Sequence, residues 1–328
     1  MNDLTVIVGK EKEWYDYSNL VGKLTFSGRK GAAPRTVQII FQDSECYGYS
    51  RTNLSCEDGK ICAVYFKGEE IFRGLIMSDA AGKRRQLNIT AYDNCIYLSN
   101  NKDSFSYKEK RADEIFSDCL ARLNLEAGEI VNTEHIIPEL IKPATSFWDV
   151  IEDALSQTYA VNGKRYYVSS DKGKISLKRR LEQERISVLE VDANIESYDR
   201  TRSITNTRTR LKLSTSEGEV KKTFINSELE EKIGMFQDVD SVEEDITETE
   251  LQQRVDTFKK EKALVQQELK VTCVGNVAIR SGSCVYVQIP QIQERRVMYV
   301  DEDTHTFEKG SHKMTLKLNY AGDIDSAG

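Results

Sequence analysis

The strongest constraint on the fold is a pattern written twice. Residues 71–93, IFRGLIMSDAAGKRRQLNITAYD, and residues 297–320, VMYVDEDTHTFEKGSHKMTLKLNY, each read as an alternating strand, a polar turn with glycine, and a second alternating strand. Leu87, Ile89 and Ala91 recur at period two in the first, as do Met314, Leu316, Leu318 and Tyr320 in the second. A strand of that period buries one face and wets the other. Two of them around a short glycine turn make a hairpin. Two β regions built alike, with a helical stretch between them, predict a part that presents one shape twice.

Up to about Leu98 the chain reads almost wholly as strands, at 24–26, 36–41, 61–66, 71–77 and 87–92, punctuated by glycines. Strands at that spacing predict a closed or nearly closed barrel or sandwich. After Asn100-Asn101 the period changes: Ala112, Ile115, Phe116, Cys119, Leu120 and Leu123 form one helical stripe. Ser146 with Asp149 starts a second helix, whose apolar face is Phe147, Val150, Ile151, Ala154 and Leu155. Pro138 and Pro143 mark an extended connection between the helices, and a hairpin turning at Asp171-Lys172-Gly173 follows them. Strands return from about Asn194. The acidic stretch DVDSVEEDITETE, 238–250, reads as a solvated loop feeding a helix N-terminus, where the helix dipole favours carboxylates. Thr247 and Glu250 form a capping box for a helix near 248–269. Its narrow stripe, Leu251, Val255 and Phe258 continuing to Val265 and Leu269, is expected to pack on its own β domain or on a neighbouring subunit, which makes the first three candidate protein-interface residues.

The fold class is therefore α+β, mainly β: a first β-barrel domain at 1–99, an α+β module at 100–193, a second β-barrel domain at 194–320 and a tail at 321–328. Each domain is long enough to bury its own core.

Composition removes several functions. The 46 basic and 53 acidic residues leave a formal charge of −7 and no long basic tract, so specific nucleic-acid binding is disfavoured. No apolar run approaches the roughly 20 residues that span a bilayer, and no membrane partner is expected. The start, MNDLTVIVGKEKEWYDY, lacks the basic-then-apolar form of an export signal. Cys46, Cys56, Cys62, Cys95, Cys119, Cys273 and Cys284 show no C-x-x-C spacing. They read as reduced, buried thiols made in a bacterial cytoplasm, without zinc.

Three histidines occur. His135 stands apart, while His305 and His312 flank a turn and read as a solvated surface pair. Asp303-Thr304-His305 has no serine or cysteine in an elbow context beside it. There is no G-x-G-x-x-G and no P-loop, and Gly82-Lys83-Arg84 lacks the residues that cradle a phosphate. Trp148 reads as packed against a helix face. No catalytic, cofactor or metal residue is expected, so the chain reads as a non-enzyme.

Three stretches carry a family resemblance: NKDSFSYKEKRADEIFSDCLARLNL, SFWDVIEDALSQTYAVNGKRYYVSSDKGKISL, and CVGNVAIRSGSCVYVQIP with the final hairpin. In order and spacing over most of 60–320 the chain resembles the baseplate hub proteins of contractile phage tails and tailocins, the XkdQ/YqbQ type of PBSX-like prophage elements. The resemblance implies a homotrimer in which each subunit gives two tube-like β-barrels to a pseudo-six-fold ring between a six-fold tail tube and a three-fold spike. Its implied partners are the tube or tube-initiator protein, the spike, other baseplate proteins and the tape measure. It implies assembly into a virion or tailocin baseplate. The middle module resembles a LysM-like unit in a strand-helix-helix-strand order and reads as a peripheral brace. Bottom-up reasoning agrees, since three chains with two similar halves offer six similar faces under three-fold symmetry. The alternative reading is a peptidoglycan-binding or cell-wall-degrading tail protein, and a third is the hub of another injection device.

Overall fold

A computed structural model describes residues 3–42, 54, 56–57, 59–81, 86–180 and 186–319. Cys46, Gly82-Lys83-Arg84, the turn of the first hairpin, Tyr320 and the tail lie outside the described residues.

The two end regions share six strands in the same spatial order, and the first adds a seventh, Glu13–Asp16, beside Leu4–Lys10. The first runs Val21–Arg29, Ala32–Phe41, Leu87–Asp93, Glu69–Ala81, Ile61–Phe66, Leu4–Lys10. The second runs Ile195–Ser203, Gln266–Val274, Ser311–Asn319, Glu294–Glu308, Cys284–Ile289, Ser187–Glu190. The correspondence holds to the residue. Val21 opposes Phe41 as Ile195 opposes Cys273, and a bulge follows at Gly22 and at Glu196. Ile76 opposes Ala91 as Val300 opposes Leu318, and a second bulge follows at Met77 and at Asp301. Gly59 N donates to Ile76 O at 3.0 Å, and Gly282 N donates to Val300 O at 2.9 Å. Both glycines have positive φ, +82° and +97°, a conformation glycine adopts without strain. One strand departs from the match: Leu4–Lys10 is antiparallel to Ile61–Phe66, whereas Ser187–Glu190 is parallel to Cys284–Ile289.

Among the described residues, no ladder closes either array into the expected barrel. The ends of the first approach through bonds such as Tyr17 N to Val6 O and Val6 N to Ser18 Oγ, and those of the second through an isolated bridge between Val191 and Ile195. The arrays are also continuous with each other, because Glu302–Glu308 pairs with 23–29 and merges both into one 13-stranded sheet. The reason is length. Glu294–Glu308 has 15 residues and its partner Cys284–Ile289 only 6, so the outer half of the long strand offers a free edge. The cores stay distinct: Leu24, Phe26, Val37, Ile39, Phe41 and Ile89 fill one, Leu269, Val271, Val300, Leu316 and Leu318 the other. Phe307 reaches from the second hairpin into the first core, and His305 packs beside Phe26.

The middle segment has its own core. Helices Ala112–Arg122 and Phe147–Asn162 form where the apolar stripes place them, and Ser146 Oγ accepts from Asp149 N at 3.0 Å to cap the second. Their buried faces meet Phe105, Ile137, Ile175 and Leu177. The element order differs from the expected strand-helix-helix-strand. A ribbon of Lys102–Arg111 with Ile136–Ser146 embraces the first helix, and Ala127–Ile130 joins the hairpin Tyr166–Asp171/Lys174–Arg179 in a three-stranded sheet. The sequence KDSFSYKEKR hides its strand because most of that ribbon is wet on both faces, and Pro138 and Pro143 sit in its partner. Ser187–Glu190, within the segment expected to be module, pairs into the second array.

A second insertion, 204–265, stands where the first array has only the tight turn between Arg29 and Ala32. Arg210–Ser214 pairs with Val220–Ile225 and with Gln237–Ser241 under the helices Ser227–Ile233 and Glu248–Glu261. The acidic stretch is thus partly a strand, not a loop. Its aspartates point outward to bases, Asp238 to Lys262 at 2.5 Å and Asp240 to Arg254 at 3.0 Å. The capping box forms, with Glu250 N donating to Thr247 Oγ1 and Thr247 N donating to Glu250 Oε2. The helix expected near 248–269 stops at Glu261, because Leu269, Val271 and Cys273 alternate and enter the sheet. Among the described residues no helix is long and apolar enough to cross a membrane. Cys56, Cys62, Cys95, Cys119, Cys273 and Cys284 are free and buried.

Candidate functional site

The joint between the two arrays gathers the most unusual chemistry of the chain. It runs as a ladder from Glu302 opposite Arg29 to Glu308 opposite Lys23. Asp303 faces inward, 1% exposed, opposite Gly28. A Cβ on residue 28 would stand 2.2 Å from Arg35 Nη1, so glycine there is what lets the Arg35 guanidinium cross the ladder. Arg35 donates from Nη1 to Asp303 Oδ1 at 2.9 Å and from Nη2 to Oδ2 at 2.5 Å, while Ser281 N also donates to Oδ1. Burial pushes the Asp303 carboxyl up, but the charge of Arg35 and hydrogen bonds from His305 and Arg35 outweigh it and hold the carboxyl well below the usual carboxylate range. The guanidinium lies over the Phe26 ring at 4.3 Å.

His305 is buried and His312 half-buried, so the pair is packed rather than solvated. Asp303, His305 and Phe307 alternate on the inward face of the shared ladder, which carries His305 to 0% exposure. His305 Nε2 donates to Ile279 O at 3.0 Å, so its Nδ1 accepts from His312 Nε2 at 3.1 Å when both rings are neutral. His312 stacks on Phe307 with ring centres 4.0 Å apart, and its Nδ1 is buried without a hydrogen bond. Among the described residues no cluster of three metal-ligating side chains occurs. Ser281 lies beside Asp303, its hydroxyl accepting from Arg35 Nη1 at 3.0 Å, while the His305 nitrogens face Ile279 O, His312 and Asp303. Among the described residues no hydrogen bond joins Ser281 to His305, and Arg35, Asp303 and Ser281 make a structural pin. Burial pushes the thiols of Cys56, Cys119 and Cys273 up to about 12, far from a reactive thiolate.

Burial, with His305 and Lys67 nearby, lowers His312 from 6.5 to about 4. In that interval the unfolded chain holds a proton the folded one refuses, so the stability due to this group is complete above pH 6.5 and is lost as the pH falls towards 4. With the ring partly exposed, the loss is about 2 kcal/mol. Asp93, raised by burial to about 6, acts in the opposite sense. The measurement is therefore a difference: urea unfolding of the native protein against His312→Phe, which keeps the stack. The native advantage should shrink by about 2 kcal/mol between pH 6.5 and pH 4; a difference flat with pH would contradict the assignment.

Beside the joint lies a cleft of about 230 Å³ shared with the middle module, lined in part by Arg35, Asp93, Trp148, Asp171, Arg280 and Ser281. Its charges answer each other, as Arg280 Nη1 donates to Asp171 Oδ1 at 3.2 Å and Lys178 Nζ to Asp171 Oδ2 at 3.0 Å. Trp148 is 9% exposed, packed as expected, and Arg180 ties the module to the long strand by donating to Val300 O and Asp301 Oδ1. These contacts hold the module on the arrays.

Leu251, Val255 and Phe258 are turned into the chain's own insertion, against Leu211, Leu213, Val242 and Ala263. They are 5%, 3% and 5% exposed, packed within this chain. Sequence reasoning missed Arg35 and Gly28. The one available signal was the alternation of Asp303, His305 and Phe307 in phase with a buried face.

The pattern of the YQBQ-like family matches residues 24–319. The PBSX phage-like element protein XkdQ of Bacillus subtilis strain 168 is 31% identical over 321 residues, 96% of each chain. Among solved structures, the tail protein of Neisseria meningitidis MC58 superposes with a TM-score of 0.77 at 13% identity, over 98% of both chains. A component of the Escherichia coli type VI secretion system, described as structurally similar to the T4 tail proteins gp27 and gp5, superposes with a TM-score of 0.58 at 12% identity. That match covers 92% of this chain and 74% of the other.

Proposed function

Since this chain belongs to the YQBQ-like family, we propose that it is a structural part of a contractile-tail baseplate: the hub, a trimeric adaptor that joins a six-fold tail tube to a three-fold spike. The observation that carries the reading is the residue-level repeat. Two arrays share strand order, register and both bulges, and one joint links them side by side. Three such chains place six like arrays around an axis while keeping three-fold symmetry for whatever sits below. Side chains differ between the arrays, Phe41 against Cys273 for example, while the backbone is kept, as a contact surface defined by shape requires. The relative named as a phage-like element protein and the tail-protein fold support a place in a tail assembly. The fold shared with a secretion-system component likened to gp27 and gp5 supports a position next to a spike.

The test is particle mass and symmetry. The purified 37.4 kDa chain, alone and mixed with a spike protein of the same tail, is measured by mass photometry and imaged in negative stain. The expected result is a particle of three chains with an open centre and six similar lobes. A monomer in every condition, or a closed assembly of two or four chains, would overturn the proposal.

A further inference from the structure

The repeat makes a prediction about edges that the chain itself leaves open. In the second array, the outer half of Glu294–Glu308 pairs with Val21–Arg29, the edge strand of the first array. In the first array the strand in the same place is Glu69–Ala81, and the residues matching Asp301, Glu302, Asp303 and Thr304 are Met77, Ser78, Asp79 and Ala80. Among the described residues nothing pairs with them on that side, and all four are exposed. The strand matching Val21–Arg29 is Ile195–Ser203, which ends the 13-stranded sheet. It too is exposed from Asp199 to Arg202. One chain therefore carries the joint once, completed, and its two halves once more, open at opposite ends.

We propose that the open edge 77–81 of one chain pairs antiparallel with the strand Ile195–Ser203 of a second copy, repeating the internal joint between chains. The repeat also fixes the register. Because Glu302, Asp303 and Thr304 oppose Arg29, Gly28 and Ser27, the matching pairs are Ser78 with Ser203, Asp79 with Arg202, and Ala80 with Thr201. The charges agree with that register. Inside the chain Asp303 meets an arginine that reaches over from the neighbouring strand; between chains Asp79 lies directly opposite Arg202. Open strand edges are an aggregation hazard that a closed ring removes. A head-to-tail contact of this kind closes into a ring when its rotation matches the internal one.

This inference rests on the ring reading above and names the surface that builds it. Opposed residues in an antiparallel ladder come close enough for a disulfide. The full-length variant Asp79→Cys/Arg202→Cys is oxidised and run on a non-reducing gel. Covalent dimers and closed trimers are expected from it, none from either single variant, and at least about tenfold less from Asp79→Cys/Asp199→Cys, whose sites lie out of register. In parallel, Asp79→Arg and Arg202→Asp should each raise the dissociation concentration about tenfold or more, and the exchanged pair should recover the native value. A native protein that never assembles would defeat both the ring and the edge assignment. A trimer that forms without register-dependent crosslinks would defeat the edge assignment alone.

Discussion

Replacing Arg35 by methionine should destabilise the protein by about 3–5 kcal/mol, because it strips Asp303 of its counter-charge while leaving the carboxylate buried. The Asp303 side chain is 0% exposed and that of Arg35 12%, so water cannot take the place of the missing donors. The carboxylate keeps only the Ser281 amide and its neighbour His305. Replacing both partners, Arg35→Met with Asp303→Leu, should restore most of the loss, since an apolar pair of similar volume carries no desolvation penalty. Urea unfolding at pH 7 of the two single variants and the double one gives the coupling energy directly. A single-variant loss below about 1 kcal/mol would place this pair with weak surface bridges and remove its role as the pin of the joint. Disruption should also be local. Amide exchange should quicken first in 23–29 and 302–308, before the interiors of either array.

What the sequence made legible follows the range of the interactions involved. Both hairpin strands, the helix stripes at Ala112–Arg122 and Phe147–Asn162, and the caps at Ser146 and Thr247 depend on neighbours within a few residues, and all are where the local pattern puts them. The joint is different, since nothing near Lys23 says that Glu308 will lie beside it. Edge pairing is decided by which backbone groups remain unpaired after the hairpins form, and that is a property of strand lengths. The histidines show the same limit. His305 shares a face with Phe307, but its burial becomes visible only when Val21–Arg29 covers that face. At Leu269 two local signals competed: helical spacing from Leu251 ran into alternation with Val271 and Cys273, and the sheet prevailed because Ser311–Asn319 supplies a ladder that an isolated helix end lacks.

The second large effect is expected in the middle module, where Phe116→Ala should cost about 3–5 kcal/mol of local stability. Phe116 is fully buried between the helices Ala112–Arg122 and Phe147–Asn162, in a core whose members, from Cys95 to Leu177, all come from the middle of the chain. Among the described residues neither array lends a fully buried side chain to it, and of the arrays' residues Ala33 packs on its rim. A cavity there should therefore loosen the module and leave the arrays folded. Hydrogen exchange should rise by two to three orders of magnitude across the ribbon Lys102–Arg111 and the hairpin Tyr166–Asp171/Lys174–Arg179, while Ala32–Phe41 and Gln266–Val274 keep their protection. If protection instead falls everywhere at once, the Arg180 and Arg280 contacts have fused module and arrays into one cooperative unit. The distinction bears on assembly. A module that melts alone is a brace applied from outside, and the Phe116→Ala chain should still close its ring, since both open edges belong to the arrays.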